Sequence, residues 1–218
     1  MKNNEVKTMK IEIWSDFVCP FCYIGKRNME AALEQLGMEN QVEIDYKSFQ
    51  LNPESKKHYE ENINQIIADK YGISVEKATA SNQNIVATAK GVGLEFNFDK
   101  IQPTNTFDAH RLSHYAKEAG KMSEFTEAMM RSYFTDSLNI SDEKVLLDIV
   151  EEVGLNKEKA LEILRGSAYE DVIKADSSQA RQHGVSGVPF FVFNEKVAIS
   201  GAQPIESFVA TMKQLNQE

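Results

Sequence analysis

The chain's only two cysteines, Cys19 and Cys22, stand two residues apart in the stretch WSDFVCPFCYIGKRNMEAAL, residues 14–33. Such a pair has three common uses. A zinc site needs four ligands, so one C-x-x-C supplies half of it. His110 and His114, four apart on one face of a predicted helix, are candidates for the other half, but they lie far from the cysteines and lack the compact spacing of zinc modules. An inert reading buries both cysteines as small hydrophobes, as free cysteines often are. The third use is thiol–disulfide exchange, and the position of the pair favours it. A strand pattern gives way here to a helix pattern, so Cys19 precedes a helix and Cys22 sits in its first turn. Unpaired N–H groups and the helix dipole at that end favour a thiolate. Pro20 suits the first turn, where its missing N–H costs no helix bond. Cys22, one turn inward, can attack a mixed disulfide that Cys19 has made.

The elements around the pair read β-α-β. Residues 10–14 are a short β-rich run. From Cys22 onward Ile24, Met29, Ala32, Leu33 and Leu36 recur at helical intervals until Gly37, and residues 42–46 alternate strictly as a half-wet strand. After Asn52-Pro53 the character changes. Helical faces are marked by Ile63, Ile66, Ile67 and Tyr71, then by Ile85, Val86, Ala89 and Val92. Phe107, Leu112, Tyr115 and Ala116 mark another, opened by a cap at Asn105 or Thr106. Further faces centre on Phe125, Met129 and Met130, on residues 145–150 after a cap at Ser141, and on Leu161 and Leu164. The β signal returns near the end as two strands, 190–193 and 197–200, joined by Asn194-Glu195 in a tight hairpin. Pro204 then opens a last helix. A proline at the head of a strand, as in Val188-Pro189, needs a special reason.

Length and charge bound the function. A chain of 218 residues can bury a sizeable core either as one domain with a large insertion or as two modest domains. A net charge of −9 without a basic run makes nucleic acid and anionic membrane unsuited as partners. The polar start up to Lys10 lacks a secretory signal's apolar core, and no stretch is long and apolar enough to span a bilayer. Cytoplasmic residence is expected, where a lasting structural disulfide is unusual.

Four stretches carry a family likeness: IEIWSDFVCPFCYIGK at 11–26, NTFDAHRL at 105–112, GVSGVPFFVF at 184–193 and ISGAQP at 199–204. With them the chain resembles the DsbA-type thioredoxin-fold family, in its FrnE-like branch, over almost its whole length. The resemblance implies an α/β, thioredoxin-like fold with a large all-helical insertion. Residues 1–53 and 178–218 would form a discontinuous thioredoxin-like domain and 54–177 the helical insertion. It implies a protein dithiol–disulfide oxidoreductase with Cys19 attacking and Cys22 resolving, and a cis Val188-Pro189 bond facing the pair. The backbone of Val188 would then be free to pair with an extended substrate.

Kappa-class glutathione transferases and 2-hydroxychromene-2-carboxylate isomerases share the insertion and the NTFDAHRL likeness, but carry serine where this chain has Cys19. A glutathione-dependent transferase or isomerase is therefore the alternative, and a binding module with a vestigial C-x-x-C the third reading. The expected substrate contacts are Pro20, Phe21, Val188, Pro189, Asn105 and His110, with an apolar rim as one reading of Trp14, Phe17, Phe21 and Tyr23, although the strand position of Trp14 favours the core for it. Asp16 is a candidate to pass protons to the resolving thiol or an exposed turn residue. His58 reads as a solvated helix face. No metal and no bound cofactor are expected, with glutathione open as a co-substrate. The partners would be protein or small-molecule disulfides and thiols, plus a separate redox partner. Phe21 stands where strongly oxidising DsbA proteins carry histidine, and a phenyl ring donates neither hydrogen bond nor charge to a thiolate. A weaker oxidant is the consequence.

Overall fold

The computed structural model describes residues 8–217. Strand β1 (Met9–Ser15) leads through a short turn into α1 (Pro20–Leu36), and β2 (Val42–Ser48) follows. Gly37 ends α1 because it can adopt the left-handed conformation, φ 63°, in which its N–H reaches back to the last turn. β1 pairs parallel with β2, Ile13 lying opposite Tyr46. The helical stretch comprises α2 (Ile63–Tyr71), α3 (Val75–Gly91), a 3-10 turn at Phe98–Lys100, α4 (Phe107–Glu118), α5 (Met122–Phe134), α6 (Glu143–Glu152) and α7 (Lys157–Arg165). Helix α8 (Glu170–Gln182) leads back to the sheet through β3 (Phe190–Phe193), β4 (Val197–Ser200) and α9 (Ile205–Asn216). The sheet order is β2-β1-β3-β4, with β3 antiparallel to both β1 and β4. This is the thioredoxin fold with a helical insertion that the sequence predicts.

The sheet's two faces are covered differently. Ile11, Ile13, Phe191 and Phe193 pack with Met29 and Leu33 of α1 and with Phe208 and Met212 of α9. On the opposite face Trp14 and Val192 meet Ala180 of α8 and Val185. The first turn of α1 belongs to neither group. Cys19, Cys22, Tyr23 and Ile24 instead share one apolar cluster with Leu112, Phe125, Met129, Tyr133 and Phe134 of the insertion. The dithiol is thus walled by the helices inserted after β2.

Side-chain caps open four of the helices, α2, α3, α6 and α7. Asn62, Ser74 and Asn156 each accept a backbone N–H at the starts of α2, α3 and α7. At α6 the cap is Asp142, one residue later than the expected Ser141. The Ser141 hydroxyl is taken instead by Lys57 O at 2.9 Å and by Thr104 and Asn139. His58 lies in an irregular segment rather than on a helix, and its Nδ1 accepts a hydrogen bond from Asn139 at 2.9 Å. The hairpin turn places both Asn194 and Glu195 at positive φ, 49° and 57°, matching the twist of the strands it joins.

Candidate active site

Cys19 is the N-cap residue of α1, extended at φ −92° and ψ 111°, with Pro20 in the first turn as anticipated. Its N–H binds Asp16 O and its C=O accepts the Cys22 N–H, both at 3.1 Å. The two thiols are free and nearly covered, 3% and 2% exposed, whereas Phe21 between them is 45% exposed. The Cys19 thiol points at Val188 O, 3.5 Å away. The Val188-Pro189 bond is cis, and Pro189 O accepts the Gly201 N–H at 2.8 Å. No strand pairing among the described residues includes Val188, so its backbone lies beside the attacking sulfur without a ladder partner there. Burial first, then the hydrogen bond and charge of Cys19, push the Cys22 thiol well above its ordinary value; the Ser15 side chain and the Asp16 backbone pull it part of the way back. Cys22 is therefore held as a thiol.

Gly25 sets how close α1 lies to the proline loop. A Cβ there would stand 3.0 Å from Pro189 Cγ and 3.2 Å from Phe191 Cζ, so only glycine leaves the ring its place. On the same helix Tyr23 donates to Glu127 at 2.5 Å, and buried Lys26 bridges Glu127 and Glu30 at 2.6 and 2.7 Å. Arg27 completes the cluster with a further bond to Glu127. Burial raises the Glu127 carboxyl, but Lys26, Tyr23 and Arg27 outweigh it and hold the group below the usual range. Burial and Glu127 push the Tyr23 phenol up. These contacts clamp α1 to α5.

The second predicted group divides. His110 is 2% exposed, with Nε2 3.1 Å from Asp16 Oδ1 and its ring 4.8 Å from that of Phe17. Asp16 is itself buried, which settles its two readings against the exposed turn, and its second oxygen accepts the Leu51 N–H at 2.8 Å. Asn105 uses its amide inside the protein. Nδ2 donates to Pro53 O and Ser55 O at 3.0 and 2.9 Å, and Oδ1 accepts the Phe107 N–H at 2.8 Å. The expected rim reduces to Phe21. Trp14 is core and donates to Asp176 O at 3.1 Å, while Phe17 and Tyr23 are buried. His114 points away from His110, toward Ser48 and Asp176, so the two do not form one half of a metal site.

Sequence reasoning passed over Gly25, Ser15, Thr126 and the work of Arg111. The Arg111 guanidinium is buried and donates to Gly166 O at 2.6 Å, to Ala168 O at 2.9 Å and to Ile163 O. It thereby satisfies carbonyls at the end of α7, and Asp108 at 3.1 Å balances its charge. The one available signal was that a charged residue one position after His110 falls on the buried side of α4.

Residues 10–213 match the model of the DSBA-like thioredoxin domain, and the chain belongs to that family. Its fold superimposes on the probable DsbA oxidoreductase SCO1869 from Streptomyces coelicolor with a TM-score of 0.91 at 37% identity, covering 96% of this chain and 91% of that one. YwbO of Bacillus subtilis (strain 168) is 29% identical over 197 residues, 89% of this chain and 91% of the relative. The 2-hydroxychromene-2-carboxylate isomerase of Sphingobium xenophagum is 22% identical over 192 residues, 87% of this chain and 91% of the relative. The family is one of thiol–disulfide oxidoreductases at the coarse level, with isomerases among the relatives. No helix among the described residues is long and apolar enough to cross a membrane.

Proposed function

We propose that the chain is a dithiol–disulfide oxidoreductase in which Cys19 attacks a protein or small-molecule disulfide and Cys22 resolves the mixed disulfide. One observation carries this reading: Cys19 Sγ sits at the N-terminus of α1, 3.5 Å from the carbonyl of Val188, with Cys22 one turn behind it. The outer sulfur is next to the backbone that an extended substrate can pair with. The inner one is kept protonated until the mixed disulfide forms. Phe21, the exposed apolar residue of the motif, supplies contact area beside the reacting sulfurs. Electrons then pass to a separate redox partner, because the two cysteines are the whole thiol inventory. Cytoplasmic residence and a weaker oxidant than the histidine-bearing relatives complete the proposal.

The relative that isomerises a chromene carboxylate keeps a glutathione-dependent reaction as the second reading. Against it, Asn105 spends its amide on Pro53, Ser55 and Phe107, and His110 lies buried against Asp16. The test separates the two. Cys19→Ser is expected to lose disulfide exchange. Cys22→Ser should still attack and then accumulate as a mixed disulfide, seen by intact mass. Alkylation of Cys22 ahead of Cys19 in the wild-type protein would reverse the assignment. Glutathione-dependent turnover surviving undiminished in Cys19→Ser would move the chain to the second reading.

A further inference from the structure

The large apolar side chains left exposed among the described residues are Phe21, Leu51, Tyr71, Leu138 and Val172. Two of them belong to the dithiol edge of the sheet. Phe21 lies between the cysteines, and Leu51 is held to the turn that carries them: its N–H donates to Asp16 Oδ2 at 2.8 Å, while Asp16 O accepts the Cys19 N–H at 3.1 Å. The sheet order explains why these segments meet. β1 and β2 are parallel and end together at Ser15 and Ser48, and the Phe49 N–H carries the ladder one step further onto Ser15 O at 3.2 Å. β3 runs the other way and begins at this same edge, so the dithiol turn leaves β1 between the segment after β2 and the Val188-Pro189 loop before β3. Neighbouring strands are about 4.8 Å apart, which puts the ends of β2 and β3 about 10 Å from each other with the turn between them. Phe49 and Val188, both half-buried, pack against one apolar cluster along this edge. Leu51 is fixed there as well as exposed: beyond it the segment is pinned again, Asn105 Nδ2 donating to Pro53 O and Ser55 O at 3.0 and 2.9 Å.

We propose that Leu51 is a specificity-determining residue of the exchange reaction: it contacts the substrate chain on the β2 side of Cys19 and selects an apolar side chain close to the substrate cysteine. The inference rests on Cys19 being the attacking thiol. Cys19 Sγ lies 3.5 Å from Val188 O, so a chain joined to that sulfur starts from the β3 side of the turn. An extended chain advances about 3.3 Å per residue, so about three residues cover the distance of about 10 Å to the β2 side. The substrate residue that meets Leu51 is therefore within about three positions of the reacting cysteine. Phe21 and Leu51 offer neither charge nor hydrogen bond, so what they distinguish is apolar area. A small disulfide without flanking residues extends nothing to Leu51, and the selection acts on chains.

The test uses the reduced full-length protein and two synthetic peptides of one sequence, each with a single cysteine in mixed disulfide with a coloured aromatic thiol. One peptide carries leucine and the other serine at the second and third residues on each side of the cysteine. Attack of the Cys19 thiolate on the peptide sulfur forms the Cys19–peptide disulfide and releases the aromatic group as a thiolate, so absorbance reads this step directly. Each rate is divided by that of dithiothreitol with the same peptide, which removes differences in intrinsic reactivity. The wild type should prefer the leucine peptide, and Leu51→Ser should lower that preference by about tenfold, the small end of what apolar contacts contribute to specificity. Leu51→Met returns the apolar area and should return the preference. Leu51 binds Asp16 through its backbone N–H, which both variants keep. A preference absent from the wild type, or unchanged in Leu51→Ser, would overturn the proposal. Equal slowing of both peptides in Leu51→Ser would overturn it as well, because it would assign Leu51 to holding the Asp16 turn. Failure of the underlying reading looks different: neither peptide would release the coloured thiolate, or release would survive in Cys19→Ser.

Discussion

Helix α4 carries two buried histidines one turn apart, and each faces a buried aspartate at nearly the same distance. His110 Nε2 is 3.1 Å from Asp16 and His114 Nε2 is 3.2 Å from Asp176. The surroundings differ. Asp16 sits in the turn that delivers Cys19, and its second oxygen accepts the Leu51 N–H at 2.8 Å. Asp176 is hedged by groups of the fold: it accepts the Ser48 N–H at 2.8 Å, its backbone carbonyl accepts the Trp14 indole, and Lys47 stands 4.0 Å away. Ser48 Oγ adds a second contact to His114 at 2.9 Å. The same pair of side chains therefore ties α4 to the turn that carries the dithiol in one place, and staples it to backbone and fixed charges of the fold in the other.

The largest effect should come from breaking the staple. Asp176→Ala leaves Lys47, His114 and the Ser48 N–H short of an acceptor between β2 and α8, and removing one partner from a buried charged network costs about 3–5 kcal/mol. Urea unfolding measures that loss. In protein that remains folded, the rate of disulfide exchange should stay at the wild-type value, because Asp176 contacts neither cysteine. A changed rate would mean that the two ends of α4 are coupled and would erase the contrast.

How much of this was legible in the sequence follows the same divide. The strands, the dithiol helix and the proline loop are local patterns: alternation in β2, Pro20 after Cys19, and Val188-Pro189 ahead of an apolar strand. Each has its physical cause within a few residues, and each appears where expected. What could not be read is pairing across the chain. Asp16 and His110 are 94 residues apart, and Ser48 and His114 are 66 apart. Nothing in either segment says that its polar group will be buried or against what. The rim failed for the same reason. Phe17 and Tyr23 have the composition of a binding surface, but the helical stretch folds over them and only Phe21 escapes, while Trp14 is core as its strand position favours. The cap at Asp142 rather than Ser141 shows the limit at short range, since a competing network claimed the serine hydroxyl.

A smaller effect should separate the ends of α4 from the other side. Asn105 closes the N-terminal end by holding the segment at Pro53 and Ser55 with both amide hydrogens and by accepting the Phe107 N–H. Asn105→Ala should cost about 1–2 kcal/mol, the worth of a lost cap and two partly exposed hydrogen bonds. Leu51 N–H, which Asp16 anchors, lies in the same loop, so loosening it should reach the Asp16 turn while leaving the Asp176 network intact. Amide hydrogen exchange would show the opening confined to residues 49–62. Protection lost equally in β2 and α8 would contradict a local role.

The smallest effect lies at the C-terminal end, where Lys117 of α4 pairs with Asp45 of β2 and Lys47 approaches the same carboxylate at 3.1 Å. Burial alone would raise the Asp45 carboxyl, but the hydrogen bonds from Lys117 and Lys47 outweigh it and hold the group below its ordinary value. A folded-state value below the unfolded one contributes stability that is complete above the unfolded value, about pH 4, and is lost as pH falls through the folded value. Lys117 is 42% exposed, so solvent screens its share, and Lys117→Ala should cost less than about 1 kcal/mol at neutral pH. If that cost is electrostatic, the gap between variant and wild type must close as Asp45 takes up its proton below about pH 4. Denaturant unfolding at a series of pH values measures the gap directly. A gap that persists unchanged into strong acid would assign the loss to the Lys117 methylene stem packed along the strand rather than to its charge, and this end of α4 would then be held by apolar contact as well as by ions.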